Sequence, residues 1–576
     1  MATASDPITL ALTGALPAAV SAGALLAYPV AHLLLRLYHR SVARSMASGS
    51  GVATDAGPAH APPATPPPAA LQIVYAHREG SAADASLPAR TDLAHLLRAP
   101  WLAAAVYAVA GGVFAGTMTA GWLVATRDSG IVTTKVLVLF WTYLWPAVLT
   151  VNIVAAFGRS RWAMVCAYSG VLLVFIVVAL ARNPSMGGRD LPLYWLITNG
   201  PPTLLLAAYL TRRIRAVGPM VLAFMVLSLT GSQVLVSVAK ASEAVLRFIV
   251  DLALRAGLGA TQGFWGMMLV GLLTFAVLGW FLLKWLGRLY ERKRLSDQTL
   301  TIDALWLVFG MVHSIFLAFE GWQWFFTGFV ALAAFKASTM IGFSLLRAAT
   351  RPAPRTLLLL RVFALGARSE RLFDLLRRHW LRLGNITLIA GPDLLTTTVE
   401  PHEFLGFLGG KLSRQFVRDR ADLDRRISGM DTATDPDGRF RVSEFFCRTD
   451  TWQMTMRELA ARSDAVLMDL RSFSPSNRGC LFELGELLNS VDLDRVVFVV
   501  DSTTDRRFLE TSLAGLWHNV SIASPNRTRR SPAARLLELA PQLTKTTLSR
   551  LLTGLCTALE LDPIGPARDQ GVSWAP

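Results

Sequence analysis

Long apolar runs alternate with short basic clusters from Ile8 to about Leu346, and the alternation then stops. Runs of about 20 residues are long enough to cross a bilayer as helices. Beyond Arg355 the pattern changes to short apolar strands between amphipathic helices, as in a water-soluble α/β domain. The expected fold class is therefore an α-helical transmembrane region followed by an α/β domain with a mainly parallel sheet. The boundaries divide the chain into an anchor (1–47), a Pro/Ala/Gly-rich linker (48–98), a multi-span region (99–348), an α/β tail (355–560) and a disordered end (561–576).

The candidate spans are Ile8–Leu37, Trp101–Ala125, Lys135–Phe157, Trp162–Ala181, Leu191–Leu210, Val217–Ala239, Phe264–Leu283, Ile302–Phe319 and Trp322–Leu346. The first run has no basic residue before it and is followed by Arg36, His39, Arg40 and Arg44, the reverse of a cleaved signal. One alternating set of loops carries Arg36/Arg40/Arg44, Arg159/Arg161, Arg212/Arg213/Arg215, the Lys284–Arg294 cluster and Arg347/Arg351/Arg355. The opposite set is lighter. The basic bias thus expects about nine spans in the cell membrane, an extracytoplasmic N-terminus and a cytosolic tail.

Several features inside the spans carry expectations of their own. Folding back at Glu320-Gly321 would bring Asp303 and Lys336 to one depth, where pairing lowers the cost of a buried lysine; the alternative for that short final pair is a buried hairpin. His313 lies deeper and reads as a packing residue. Asn199-Gly200-Pro201-Pro202 reads as a break in its span. Glu243, Arg247, Asp251 and Arg255 make a charged stripe on an amphipathic helix at the outer surface.

Composition agrees with this division: 53% of residues are apolar, 17% are charged and mean hydropathy is +0.42. The net charge of +16 could indicate nucleic acid, but the basic residues cluster at helix ends, so the lipid bilayer is the expected partner and nucleic acid is not. The four scattered cysteines fit neither a zinc site nor a disulfide framework, and no metal site is expected.

In the tail, strands are expected at Thr356–Ala364, Asn385–Ala390, Phe440–Cys447, Ala465–Leu470 and Arg495–Val500, with helices at Ser369–Leu383, Pro401–Val417, Thr451–Ala461 and Gly479–Asn489. Ligands of such sheets bind beyond the strand carboxyl ends. The candidate residues there are Gly366, Arg368 and Ser369 in a turn entering a helix, Asp469, Arg471 and Arg478 around one loop, and Asp501 after the next strand. The Gly–Arg–Ser turn could cradle phosphate at a helix N-terminus, and Ser369 equally reads as a helix cap.

The segment Ser463–Leu488 ends a strand in Asp469, passes through a polar loop and enters a helix carrying Glu483. In Ser476-Asn477-Arg478-Gly479-Cys480-Leu481-Phe482-Glu483-Leu484 it resembles Toll/interleukin-1 receptor (TIR) domains and the nucleoside deoxyribosyltransferase-like group, both flavodoxin-like. The resemblance implies that Glu483 attacks or stabilises the anomeric carbon of an N-glycoside, with Asp469 beside it. It implies NAD or another nucleotide as ligand or substrate, self-association through the cytosolic domain, and a bacterial-type membrane protein of signalling or defence. Gly479 stands where TIR domains often have Trp, and the first strand lacks their usual Ser/aromatic ending. Like-charge repulsion from Asp469 is expected to raise the Glu483 pKa, with Arg471 or Arg478 opposing. A transporter or channel with a regulatory tail, and a scaffold whose tail only self-associates, are the rival functions.

Overall fold

The computed structural model describes residues 16–47, 69–76, 87–126, 133–156, 159–182, 189–209, 217–349, 354–361, 367–390, 401–430, 432–540 and 544–559. The start of the first span, the proline-rich core of the linker, Gly366, Gly391-Pro392-Asp393 and the expected disordered end lie outside these residues.

The apolar half contains α1 (Leu16–Ala47), α2 (Leu87–Ala125), α3 (Thr133–Tyr143), α4 (Trp145–Val154), α5 (Arg159–Arg182), α6 (Asp190–Tyr209), α7 (Gly218–Ala241), α8 (Glu243–Arg255), α9 (Ala260–Glu291), α10 (Asp297–Leu317) and α11 (Thr327–Ala349). Among the described residues seven segments are long and apolar enough to cross a membrane: Ala19–Met46, Leu93–Ala125, Thr133–Val154, Ser160–Arg182, Thr261–Glu291, Asp297–Glu320 and Trp322–Arg347. Each matches one of the nine expected runs. The other two fall on α6 and α7, of which α7 has a shorter apolar stretch, Gly218–Gln233.

The final two apolar helices fold back on each other as a hairpin. Gly321 turns the chain with φ +146°. A Cβ on Gly310 would sit 3.1 Å from the Gly328 carbonyl oxygen, so α10 and α11 touch backbone to backbone there. Asp303 and Lys336 form the expected ion pair. Two other expectations change. Helix α6 runs through Pro201-Pro202 without a break, and Asn199 is wholly buried. His313 is buried, yet neither ring nitrogen meets a hydrogen-bond partner among the described residues. On α8 no residue is buried, and its charged stripe is tied by Glu243–Arg247 at 2.5 Å and Asp251–Arg255 at 2.8 Å.

Among the described residues the tail is built on seven strands: β1 (Gln72–Ala76), β2 (Arg355–Arg361), β3 (Gly384–Ala390), β4 (Val442–Phe446), β5 (Ala465–Asp469), β6 (Val496–Val500) and β7 (Ala533–Glu538). Its helices are α12 (Ala367–Trp380), α13 (Pro401–Leu408), α14 (Arg420–Ser428), α15 (Trp452–Arg462), α16 (Arg478–Ser490), α17 (Arg506–His518) and α18 (Lys545–Ala558). All pairings are parallel, in the order β1-β7-β6-β5-β2-β3-β4. The inner five, β3-β2-β5-β6-β7, follow the 2-1-3-4-5 order of flavodoxin-like sheets, with β4 and β1 added at the edges.

Parallel strands buried on both faces require near-continuous apolar sequence, and β2, β5 and β6 have it. Leu357, Leu359, Leu467, Val497 and Val499 pack on one side with α12 and α18. Leu358, Leu360, Val466, Met468 and Phe498 pack on the other with α15, α16 and α17. The direction of winding reverses between β2 and β5, and right-handed crossovers therefore put α12 and α16 on opposite faces. Val497→Ala should lower the full chain's stability by about 1–3 kcal/mol, read as a shifted denaturation midpoint; an unchanged midpoint would contradict its place in the core.

The boundary between linker and tail differs from expectation. Gln72–Ala76 is the outer strand, pairing with β7 from Gln72↔Ala533 to Ala76↔Leu537. Leu93 and Leu96 at the start of α2 join the tail's core, so one helix runs from that core into the apolar half. A tail fragment beginning at Arg355 would lack both pieces.

Candidate functional site

Asp469 is the last residue of β5, the strand beside the reversal point, and it is 2% exposed. A carboxylate buried there must be paired. Arg471 folds back on it, donating from Nε to Oδ1 at 2.7 Å and from Nη2 to Oδ2 at 2.6 Å. This forked geometry is the strong form of the pair. The tight return leaves Ser472 at φ +58°, a left-handed conformation that costs a serine energy and has to be held by its surroundings. Its hydroxyl meets the Thr503 hydroxyl at 2.9 Å.

The neighbouring loop is stitched to the first. Asp501, just past β6 and 1% exposed, accepts from the Thr503 N–H at 2.9 Å and the Thr503 hydroxyl at 2.6 Å. The Thr504 hydroxyl donates to the Leu470 carbonyl at 3.0 Å, and the Asp505 N–H donates to the Phe473 carbonyl at 3.0 Å. Asn477, ahead of α16, uses its side chain to accept from the Ser474 N–H at 2.9 Å rather than to cap the helix.

Helix α16 buries Cys480, Leu484, Leu487 and Leu488 against the sheet. Glu483 is a carboxylic acid on that inward side, 4% exposed. Its Oε2 meets no hydrogen-bond partner among the described residues. Burial alone pushes its pKa up to about 8, so the group is protonated at neutral pH. The expected repulsion from Asp469 is not the cause, because Arg471 already neutralises that carboxylate. Burial raises the Cys480 thiol, and Glu483 and then Asp469 contribute in the same direction. Glu486, one turn on, is different: it accepts from Arg457 at 2.8 Å on the outer side.

Of the sequence-derived site residues, Glu483, Asp469, Arg471 and Asp501 lie at or beside the carboxyl ends of β5 and β6. Gly366 lies outside the described residues, as do the side chains of Arg368, Ser369 and Arg478. Ser369 belongs to the first turn of α12 rather than preceding it. Ser472, Thr503 and Thr504 fall in the polar segments 469–480 and 501–505 that the sequence places beyond the strand ends, although the pattern gives none of the three a role of its own. Among the described residues no cluster of His, Cys, Asp and Glu could hold a metal ion.

Comparison of the chain with protein-family models, with curated proteins and with solved structures finds no match.

A second polar cluster lies in the apolar half. The His313 ring packs edge-on against Tyr143, with centroids 4.8 Å apart, and the Tyr143 and Tyr194 hydroxyls are 3.3 Å apart. Asn199 donates to the Thr142 carbonyl at 3.4 Å, while its Oδ1 has no partner among the described residues.

Proposed function

We propose that this chain is a multi-pass membrane protein of about nine spans, with its N-terminus outside and a cytosolic TIR-like domain. That domain binds a nucleotide or nucleoside derivative and couples membrane events to signalling or defence. The observation that carries the ligand site is Glu483: a buried carboxylic acid, without a partner among the described residues, on the helix that follows β5, the strand bordering the reversal point of a doubly wound sheet. Such a group costs stability and is kept where a ligand uses it. A ligand carrying positive charge near its glycosidic bond, as oxidised NAD does, would draw the proton off Glu483 and pair with the carboxylate. The anion could then stabilise an oxocarbenium-like centre or attack it. Asp469 and Arg471, closed on each other, act as positioning residues that shape the loop.

The test is a panel of NAD and nucleosides with the full-length protein in detergent, following nicotinamide or base release and equilibrium binding. Release or saturable binding supports the reading. Self-association without either favours a scaffold.

The His313 ring nitrogens and the Asn199 Oδ1, buried in the apolar half without a hydrogen-bond partner among the described residues, favour a second reading, a transporter or channel with a regulatory tail. Solute or proton flux into liposomes that is lost in His313→Phe would support it. The orientation is tested with Ala523→Cys, at an exposed tail position, in a Cys166→Ala background. An impermeant thiol reagent should label it only after cell lysis. Labelling of intact cells would reverse the topology.

A further inference from the structure

Two helices that meet the tail each end in a basic stripe of period four. On α1 these are Arg36, Arg40 and Arg44; on α9 they are Lys284 and Arg288, continued by Arg292 at its C-cap. All six are exposed, and none forms an ion pair among the described residues. Glu291 lies within the second stripe and is likewise unpaired.

Both stripes flank one joint. Tyr38, Val42 and Met46 on the neighbouring side of α1, and Leu283 of α9, are buried with Phe404 of the tail helix α13. Tyr38 and Phe407 pack edge-on at 5.4 Å. A Cβ on Gly287 would fall 2.5 Å from Leu405, so α13 sits directly on α9. Trp285, 53% exposed between Lys284 and Arg288, is the amphipathic residue typical of a bilayer margin.

Like charges four residues apart on a helix repel. Two such triplets beside one docking surface call for anions, and the anions available at a bilayer margin are lipid phosphates. We propose that the two stripes form a seat for the headgroups of anionic phospholipids, placed where α13 docks. This rests on the membrane reading above.

The test uses the full-length protein reconstituted with mixtures of phosphatidylglycerol and phosphatidylcholine. Native mass spectrometry reads the lipids retained. The wild type should retain phosphatidylglycerol in about tenfold preference, as expected for several basic residues acting together. Replacing the six residues by Gln should abolish the preference, and replacing the five arginines by Lys should keep it, which separates charge from misfolding. Equal retention of both lipids by the wild type, or an undiminished preference in the Gln variant, would overturn the seat. Displacement of the lipid by millimolar inorganic phosphate would also overturn it, in favour of a soluble-phosphate site. Failure of the wild type to float with vesicles would refute membrane insertion itself, and the seat with it.

Discussion

Glu483→Gln should abolish turnover and yet make the protein more stable above acid pH. The carboxyl titrates near 8 in the fold, against an ordinary value of 4.5. Below pH 4.5 both the folded and unfolded chains hold the proton, so burial of an ionisable group carries no penalty there. As pH rises from 4.5 toward 8, the unfolded chain loses the proton while the fold retains it, and stability falls through that window. An uncharged amide of the same size removes this loss. Its own unmet hydrogen bonds take back part of the gain, leaving roughly 1–3 kcal/mol at pH 7. The variant should therefore melt no higher than the wild type at pH 4, gain on it through neutrality and hold a constant lead above pH 8. A difference independent of pH would remove the buried-acid argument. Glu486→Gln is the control, since it breaks only the partly exposed pair with Arg457. If Glu483→Gln cleaved as fast as a cleaving wild type, its catalytic role would be excluded.

The inner sheet was legible because complete burial on both faces leaves no choice of residue. Leu358, Leu360, Leu388, Val466, Met468, Val497 and Val499 were all expected in it, and all are buried. The edges were not legible. β7 reads Ala-Ala-Arg-Leu-Leu-Glu, with an exposed arginine at its centre and no long run of apolar residues. β1 is separated from its partner by nearly the whole chain, and its alternation of half-buried and exposed residues is too short to stand out beside a proline-rich linker. Only contact with β7 makes it a strand.

The same distinction holds at polar positions. Asp303 and Lys336 could be paired from sequence because a tight hairpin and the cost of burial leave one solution. Glu483 could be placed on its helix, but whether a partner reached it depended on the path of the Asp469–Arg471 loop. That path turns on a serine in a left-handed conformation, which sequence does not announce. For His313 the usual expectation of a satisfied packing residue failed, since the groups around it are aromatic rings rather than hydrogen-bonding partners.

Asp437→Ala should loosen the tail from the membrane half. The segment before β4 carries Asp435, Asp437, Arg439 and Arg441 into a nearly dry seam against the joint between α9 and α10. Asp437 is wholly buried and accepts from the Ser296 hydroxyl at 2.9 Å, the same serine that caps α10. Its backbone carbonyl accepts from Arg382, whose burial lowers its pKa to about 10 while Asp437 opposes the shift. Arg439 donates to Gln298 at 2.8 Å, and Arg377 pairs with Asp297. Arg441 donates to the Tyr290 carbonyl at 2.7 Å and stacks over its ring at 3.9 Å. Removing this carboxylate leaves the buried Arg382 without the charge that opposes its desolvation, which in comparable sites costs about 3–5 kcal/mol, while Arg439 keeps Asp297. The loss should fall on the seam rather than on the sheet. Amide exchange should quicken in 433–441 and in the first turn of α10, while β5 and β6 stay protected. If exchange at the seam is unchanged, the two halves are held together by the apolar contacts of α13 and α2 instead. If β5 and β6 exchange as fast as the seam, the tail cannot fold apart from the membrane helices that brace it.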